Sequence, residues 1–213
     1  MTEEPAPTDL DADRVLAALL QQLRERHHGA VNSILLYGSC LRGGDIFDGL
    51  VDLYLICDSY RAAYASRGLA LSNWLLPPNV FYAELEYEGK TLRSKYALIS
   101  TADFRSGCSP RWFESYIWGR FAQPTRMVYC RDESSRYAVE QCVLQASRTF
   151  LQRALPCLPA FGSVYDLWRG ALALSYGTEL RTERSGRAAE LAQASLGHFE
   201  AVTRQLQGTL DFP

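Results

Sequence analysis

Twice between residues 33 and 57 the chain writes a short strand with almost no polar face. Ser33–Tyr37 is a β-branched and apolar run that stops at Gly38, and Leu50–Cys57 is a second. Between them Arg42–Gly49 holds three glycines and two aspartates, which reads as a loop. Short apolar runs of this kind read as buried strands. With the helical segments that follow, the fold class expected is α/β.

The flanking segments supply the helices. Asp9–His27 places Val15, Leu16, Leu19, Leu20 and Leu23 at helical spacing. Asp58 stands where it would cap a helix through Arg61 and Tyr64. Val80–Tyr87 and Thr91–Ser100 read as a hairpin around Glu88-Gly89. Ser100 or Thr101 caps a short helix reaching Arg105. Pro110–Phe121 reads as a helix with proline in its first turn, and Thr125–Cys130 as a last strand. Beyond it residues 133–155, 163–176 and 187–206 look helical. Strands dominate before about residue 130 and helices after it, so a domain boundary is expected there, with residues 1–29 forming a disordered arm and a helix.

A chain of 213 residues is long enough to bury a sizeable core. Its net charge of -2 argues against coating nucleic acid, which needs a basic surface. The six cysteines, at 40, 57, 108, 130, 142 and 157, show no CxxC spacing and mostly lie in apolar runs. That pattern reads as reduced, buried thiols rather than a zinc site. No stretch approaches the length needed to span a bilayer. The acidic, proline-containing start lacks the basic character of a targeting peptide, so a cytoplasmic protein is expected.

The chemistry is concentrated at Leu35-Leu36-Tyr37-Gly38-Ser39 and Val51-Asp52-Leu53-Tyr54-Leu55. A strand ends in Gly-Ser, and a carboxylate returns on the next strand, as in polymerase-β-like nucleotidyltransferases. Glycine lets the backbone approach a triphosphate, and the serine hydroxyl with neighbouring N–H groups can bind phosphate oxygens. The carboxylate can hold magnesium against those phosphates. Such sites usually carry two carboxylates two residues apart on one strand face. Here the same-face neighbours of Asp52 are Leu50 and Tyr54. Glu84 and Glu86 lie on one face of a neighbouring predicted strand. Either is a solvated strand residue or the missing metal carboxylate, with Glu84 preferred because it sits deeper in the strand.

Further blocks give the chain a specific resemblance. Tyr37-Gly38-Ser39 and the single strand carboxylate Asp52, with Asp58 nearby, come first. Lys95-Tyr96 with Ile99-Ser100-Thr101 and Asp103 follow. Next are Trp112, Tyr116-Ile117, Gly119-Arg120 and Pro124, then Leu174-Ser175-Tyr176 with Arg181, and His198-Phe199. In this order they resemble the mitochondrial translocator-assembly-and-maintenance family, which makes CDP-diacylglycerol from CTP and phosphatidic acid. The chain departs from it at Cys40, where the family usually has a second glycine, and at Glu84 and Glu86.

The resemblance implies a nucleotidyltransferase domain over residues 30–130 and a helical, winged-helix-like domain over 131–213. It implies a magnesium-dependent cytidylyltransferase that releases pyrophosphate. Asp52 and Glu84 would be the catalytic, metal-holding carboxylates, and Gly38, Ser39, Lys95 and Arg120 would bind the nucleotide. Lys95 would otherwise be a surface residue, and Arg120 a cation at a helix end. His27 and His28 read as helix-end cations without chemistry, and His198 as a packed helix residue. The stripe of Trp112, Phe113, Tyr116, Ile117 and Phe121 reads as core. A lipid acceptor would demand peripheral membrane contact, with Arg111, Trp112, Arg120 and Arg126, or Arg181, Arg184 and Arg187, as candidate patches. A soluble phosphate or protein acceptor, and a catalytically inactive nucleotide-binding module, are the rival readings.

Overall fold

The computed structural model describes residues 9–42, 46–112, 114–178 and 186–210. The chain divides into two compact units, one of residues 1–104 with 125–139 and one of 105–124 with 140–213. The first holds a mixed sheet. In chain order it contains α1 (Asp9–Arg26), β1 (Val31–Tyr37), a 3-10 turn (Ser39–Arg42), β2 (Leu50–Cys57), α2 (Tyr60–Ala63), α3 (Arg67–Leu75), β3 (Asn79–Tyr87) and β4 (Lys90–Ser100). The opening of α4 (Thr101–Cys108), the strand β5 (Arg126–Cys130) and the opening of α6 (Glu133–Ala154) complete it.

The strand order is β3-β4-β2-β1-β5. β2 and β4 run parallel, and the other neighbours are antiparallel. Ile34, Leu36, Leu53, Leu55, Tyr96 and Leu98 share one face and are buried with Val15, Leu19 and Leu23 of α1 and Tyr60 and Ala63 of α2. Each such side chain contributes about 1.5–3 kcal/mol over remaining exposed, which is what anchors α1. The other face carries Leu35 and Tyr37, Asp52 and Tyr54, then Lys95 and Ala97. There Tyr54 packs between Tyr37 (ring centroids 6.1 Å apart) and Phe104 (6.3 Å). Glu88 (φ 47°) and Gly89 (φ 78°) are both left-handed, the two-residue turn that matches strand twist in a tight hairpin.

The second unit is all helix and turn among its described residues. Besides the rest of α4 and α6 it has α5 (Tyr116–Phe121), α7 (Val164–Thr178), α8 (Arg187–Ala194) and α9 (Leu196–Leu206). Phe150, Trp168 and Phe199 stack through its core, Trp168 lying 5.7 Å from Phe150 and 4.3 Å from Phe199. The Trp168 indole N–H donates to Thr203 at 2.9 Å.

The structure differs from the sequence expectations in several places. The boundary is not one cut near residue 130, because residues 105–124 pack with the later helices through Ala122 and Trp118. Nor is α1 a separate element, since its leucines are core to the sheet unit. The helix expected from Pro110 begins only at Tyr116. Before it Ser109 turns the chain, and the Pro110 carbonyl accepts from Arg153 at 2.9 Å. The helix expected over 187–206 is broken at Ser195. Ser59, not Asp58, caps α2, its hydroxyl accepting from the Ala62 N–H. Phe113, Arg181, Arg184 and the amino-terminal arm through Thr8 lie outside the described residues.

Candidate functional site

β1 ends on Tyr37, opposite Asp52, its register partner on β2. Gly38 then turns the chain at φ 86°, a left-handed conformation that disfavours any side chain. A second constraint acts at the same residue. A Cβ on Gly38 would stand 2.6 Å from the Asp52 Oδ2, so the carboxylate occupies the space that glycine leaves open. Gly38 is therefore the close-approach residue of this corner, and Asp52 is aimed at the turn that begins with Ser39.

Ser39 is exposed at the head of the 3-10 turn. Cys40, one residue on, donates its thiol to the Leu50 carbonyl at 3.3 Å and closes the loop onto the start of β2. Burial first, and the Asp52 charge second, push the Cys40 thiol up, so it is a neutral packing group rather than a nucleophile. Cys40 thus holds the loop by a thiol–carbonyl contact where the family pattern has glycine.

On the other side of β2, Lys95 is the register partner of Asp52 in the parallel β2–β4 pair, on the same sheet face and half-buried. Gly38, Ser39, Asp52 and Lys95 are thus brought to one corner of the sheet. Tyr37 joins them through the register of β1, a neighbour that spacing alone does not reveal.

Glu84 and Glu86 are not brought to that corner. Both are exposed on β3, which β4 separates from β2. Glu84 is aligned with Arg93 and so with Leu50, which puts its Cα on the order of 12 Å from that of Asp52. Its carboxylate accepts from the Tyr82 hydroxyl at 2.6 Å and faces Arg93 at 3.9 Å. Glu86 accepts from Thr91 at 2.6 Å. Among the described residues, no group of three His, Cys, Asp or Glu side chains is placed to hold a metal. Arg120 belongs to the helical unit, on α5, with its guanidinium over the Tyr116 ring at 5.1 Å.

Asp58, Ser100, Thr101 and Asp103 of the family-like blocks lie instead at the opposite end of β2. Asp58 takes a two-pronged contact from Arg131 (2.7 and 2.9 Å) and a third bond from Asn32. The Arg131 guanidinium holds the Asp58 carboxyl below its ordinary range. Thr101 bonds to Asn32 and to the Cys57 carbonyl. Ser100 and Asp103 cap α4 reciprocally, and Tyr60 donates to Asp103 at 2.7 Å. These residues tie strand ends to helix starts and are structural here.

His27 departs from its expected role. It is buried behind α1 with Tyr64 and Tyr96 edge-on to its ring. Nδ1 meets the Ala63 carbonyl at 3.1 Å, and a carbonyl only accepts, so Nδ1 carries the proton. Nε2 then accepts from the Tyr96 hydroxyl at 3.2 Å. Burial lowers its pKa below 6.5, so it is a neutral core residue and not a helix-end cation.

No protein-family model matches this chain, and no curated protein does. Among solved structures it is similar to a nucleotidyltransferase-like protein from Exiguobacterium sibiricum. The identity is 9% and the TM-score 0.34, over 92% of this chain and 75% of that one. Among the described residues no helix is long and apolar enough to cross a membrane.

Proposed function

We propose that the chain is a nucleotidyltransferase whose catalytic corner is Gly38, Ser39, Asp52 and Lys95. The observation that carries this reading is the Asp52 carboxylate seated in the space left by Gly38, beside an exposed Ser-bearing turn, with Lys95 next to it. Ser39 and the turn's N–H groups offer donors to phosphate oxygens, and Lys95 offers a positive charge to a triphosphate. The resemblance at these residues supports CTP as the nucleotide and phosphatidic acid as the acceptor. The acceptor phosphate then attacks the α-phosphorus of CTP, and pyrophosphate leaves.

The donor set fits magnesium held in the sparse manner usual for that ion, by one carboxylate together with substrate phosphates. Asp52 would hold it, and bound there it would neutralise charge building on the phosphates. Lys95 and Ser39 orient the triphosphate. Arg120 is proposed as a further phosphate contact by resemblance alone. Incubating the full chain with each nucleoside triphosphate, with and without phosphatidic acid, tests the reading through pyrophosphate and lipid product. Product with CTP and the lipid is expected, and pyrophosphate with a soluble phosphate instead would move the acceptor to that class.

The separation of Glu84 from Asp52 favours one second reading, a module that binds nucleotide without turning it over. Metal-dependent CTP binding with no pyrophosphate under any acceptor would select it.

A further inference from the structure

Helix α3 is built inside out. A helix on the flank of a sheet should bury its apolar stripe and show its polar residues. Here the buried position is Asn73, whose Oδ1 accepts from the Tyr64 hydroxyl at 2.6 Å. The residues turned to solvent are Leu71 (55% exposed), Trp74 (63%) and Leu75 (60%), at the i, i+3, i+4 spacing of one helix face. Leu76 follows at 80%. The helix is well held in this pose. Ser66 caps its start by accepting from the Leu69 N–H, and Asn73 pins its inner side.

The chain segment that bears this face carries charge of one sign. From Ser59 through Ala83 the sequence contains no aspartate or glutamate, and Arg61 and Arg67 are both exposed. Arg67 precedes Leu71 by four residues and Trp74 by seven, so it lies on the apolar face itself. A second copy of the chain does not suit the patch. A two-fold contact sets a patch against itself, which would bring arginine to arginine with no carboxylate from this segment to answer. The missing charge must come from the partner. A short apolar helix face with tryptophan and flanking arginines matches an anionic bilayer surface, where tryptophan settles at headgroup level and arginine meets lipid phosphates.

We infer that the α3 face, Arg67, Leu71, Trp74, Leu75 and Leu76, docks the protein on anionic lipid surfaces. The face is separate from the nucleotide corner. The α2–α3 segment packs through Tyr64 against Phe81, which is aligned with Tyr96 and Leu53, and Leu53 points away from the face that bears Asp52. The inference would explain how a lipid acceptor is met, yet it stands or falls independently of turnover.

The test is sedimentation of the full chain with phosphatidylcholine vesicles, with or without phosphatidylglycerol, plus quenching of tryptophan fluorescence by brominated acyl chains. The chain should bind only the anionic vesicles, with Trp74, one of its four tryptophans, quenched. The variant Leu71→Ser/Trp74→Ser/Leu75→Ser changes exposed residues alone, and circular dichroism checks its fold. It should lose at least about tenfold in vesicle affinity. Arg61→Gln and Arg67→Gln should each lose about fivefold, the worth of one basic residue at such a surface. Asp52→Asn should still bind vesicles, and the triple variant should still bind CTP with magnesium in the absence of lipid, so the two readings fail separately. Absence of binding to anionic vesicles, or equal binding by the triple variant, overturns the inference. A dimer in sedimentation velocity that the triple variant dissolves overturns it in favour of a second copy.

Discussion

Replacing Gly38 by alanine isolates the contact on which the candidate corner rests. Two costs are expected. Holding a non-glycine residue at φ 86° costs about 1–2 kcal/mol. The new Cβ would also stand 2.6 Å from the Asp52 Oδ2, so the carboxylate must swing away, at about 0.5–1.5 kcal/mol for an off-rotamer side chain. Gly38→Ala should therefore lower stability by roughly 1.5–3.5 kcal/mol. Asp52→Ala removes the carboxylate and leaves only its Cβ, 3.4 Å from the added atom, an ordinary contact. In that background the Gly38→Ala cost should shrink to the dihedral part. Urea unfolding of the four proteins of this cycle, followed by circular dichroism, should give a coupling of about 1 kcal/mol. Calorimetry should show Gly38→Ala weakening CTP–magnesium binding as well. A coupling of zero would mean that Asp52 does not lean on Gly38, and the corner would lose its central observation.

Asp52→Asn keeps the shape and removes the charge, so turnover should vanish with the melting temperature unchanged; near-normal turnover would remove Asp52 from the chemistry. Ser39→Ala and Lys95→Ala should weaken CTP binding more than acceptor binding, and calorimetric titration that finds both unaffected would place the nucleotide elsewhere. His27 gives a pH signature. Its folded pKa lies below 6.5, so on acidification the unfolded chain takes up a proton that the folded chain refuses. Stability of the sheet unit should be full above about pH 6.5 and fall as pH drops toward the folded pKa. His27→Gln should flatten that slope, read by amide exchange in β2 and β4. His198, whose pKa burial also lowers, contributes the same sign in the helical unit, so a global melting curve would mix the two. An unchanged slope in His27→Gln would show that another group governs it.

Local signals foretold the elements that build the corner. The bounds of β2 follow from its apolar run, and Glu88-Gly89 marks the hairpin because its turn needs left-handed residues. The pairing of Asp52 with Gly38 is legible for the same reason, since Gly38 closes one apolar strand and Asp52 lies near the start of the next, with one loop between them. Lys95 was singled out by resemblance, and only the parallel register of β2 and β4 sets it beside Asp52. The placement of Glu84 was not legible, because a same-strand pattern cannot tell that β4 intervenes. α3 is not legible in the sequence because its apolar spacing faces solvent, whereas the sequence signal for a helix is a buried stripe. The neutrality of His27 has no local signal because its partners, Ala63 and Tyr96, are distant in the chain. The break at Ser195 and the late start of α5 are likewise tertiary events within the helical unit.

The interleaving of the two units has a consequence for vectorial synthesis. β1 lies between β2 and β5, yet residues 105–124 of the helical unit are made before β5. While that segment leaves the exit tunnel, the sheet has four strands and the outer rim of β1 is unpaired. An apolar strand with a free rim is a template for pairing with a neighbouring nascent chain. The hazard should end only when residues 126–130 leave the exit tunnel and zip onto β1. Slowing translation at about residue 145, with β4 outside and β5 still within the tunnel, would prolong the open state and raise aggregation, whereas a pause after about residue 165, with β5 already outside, should not.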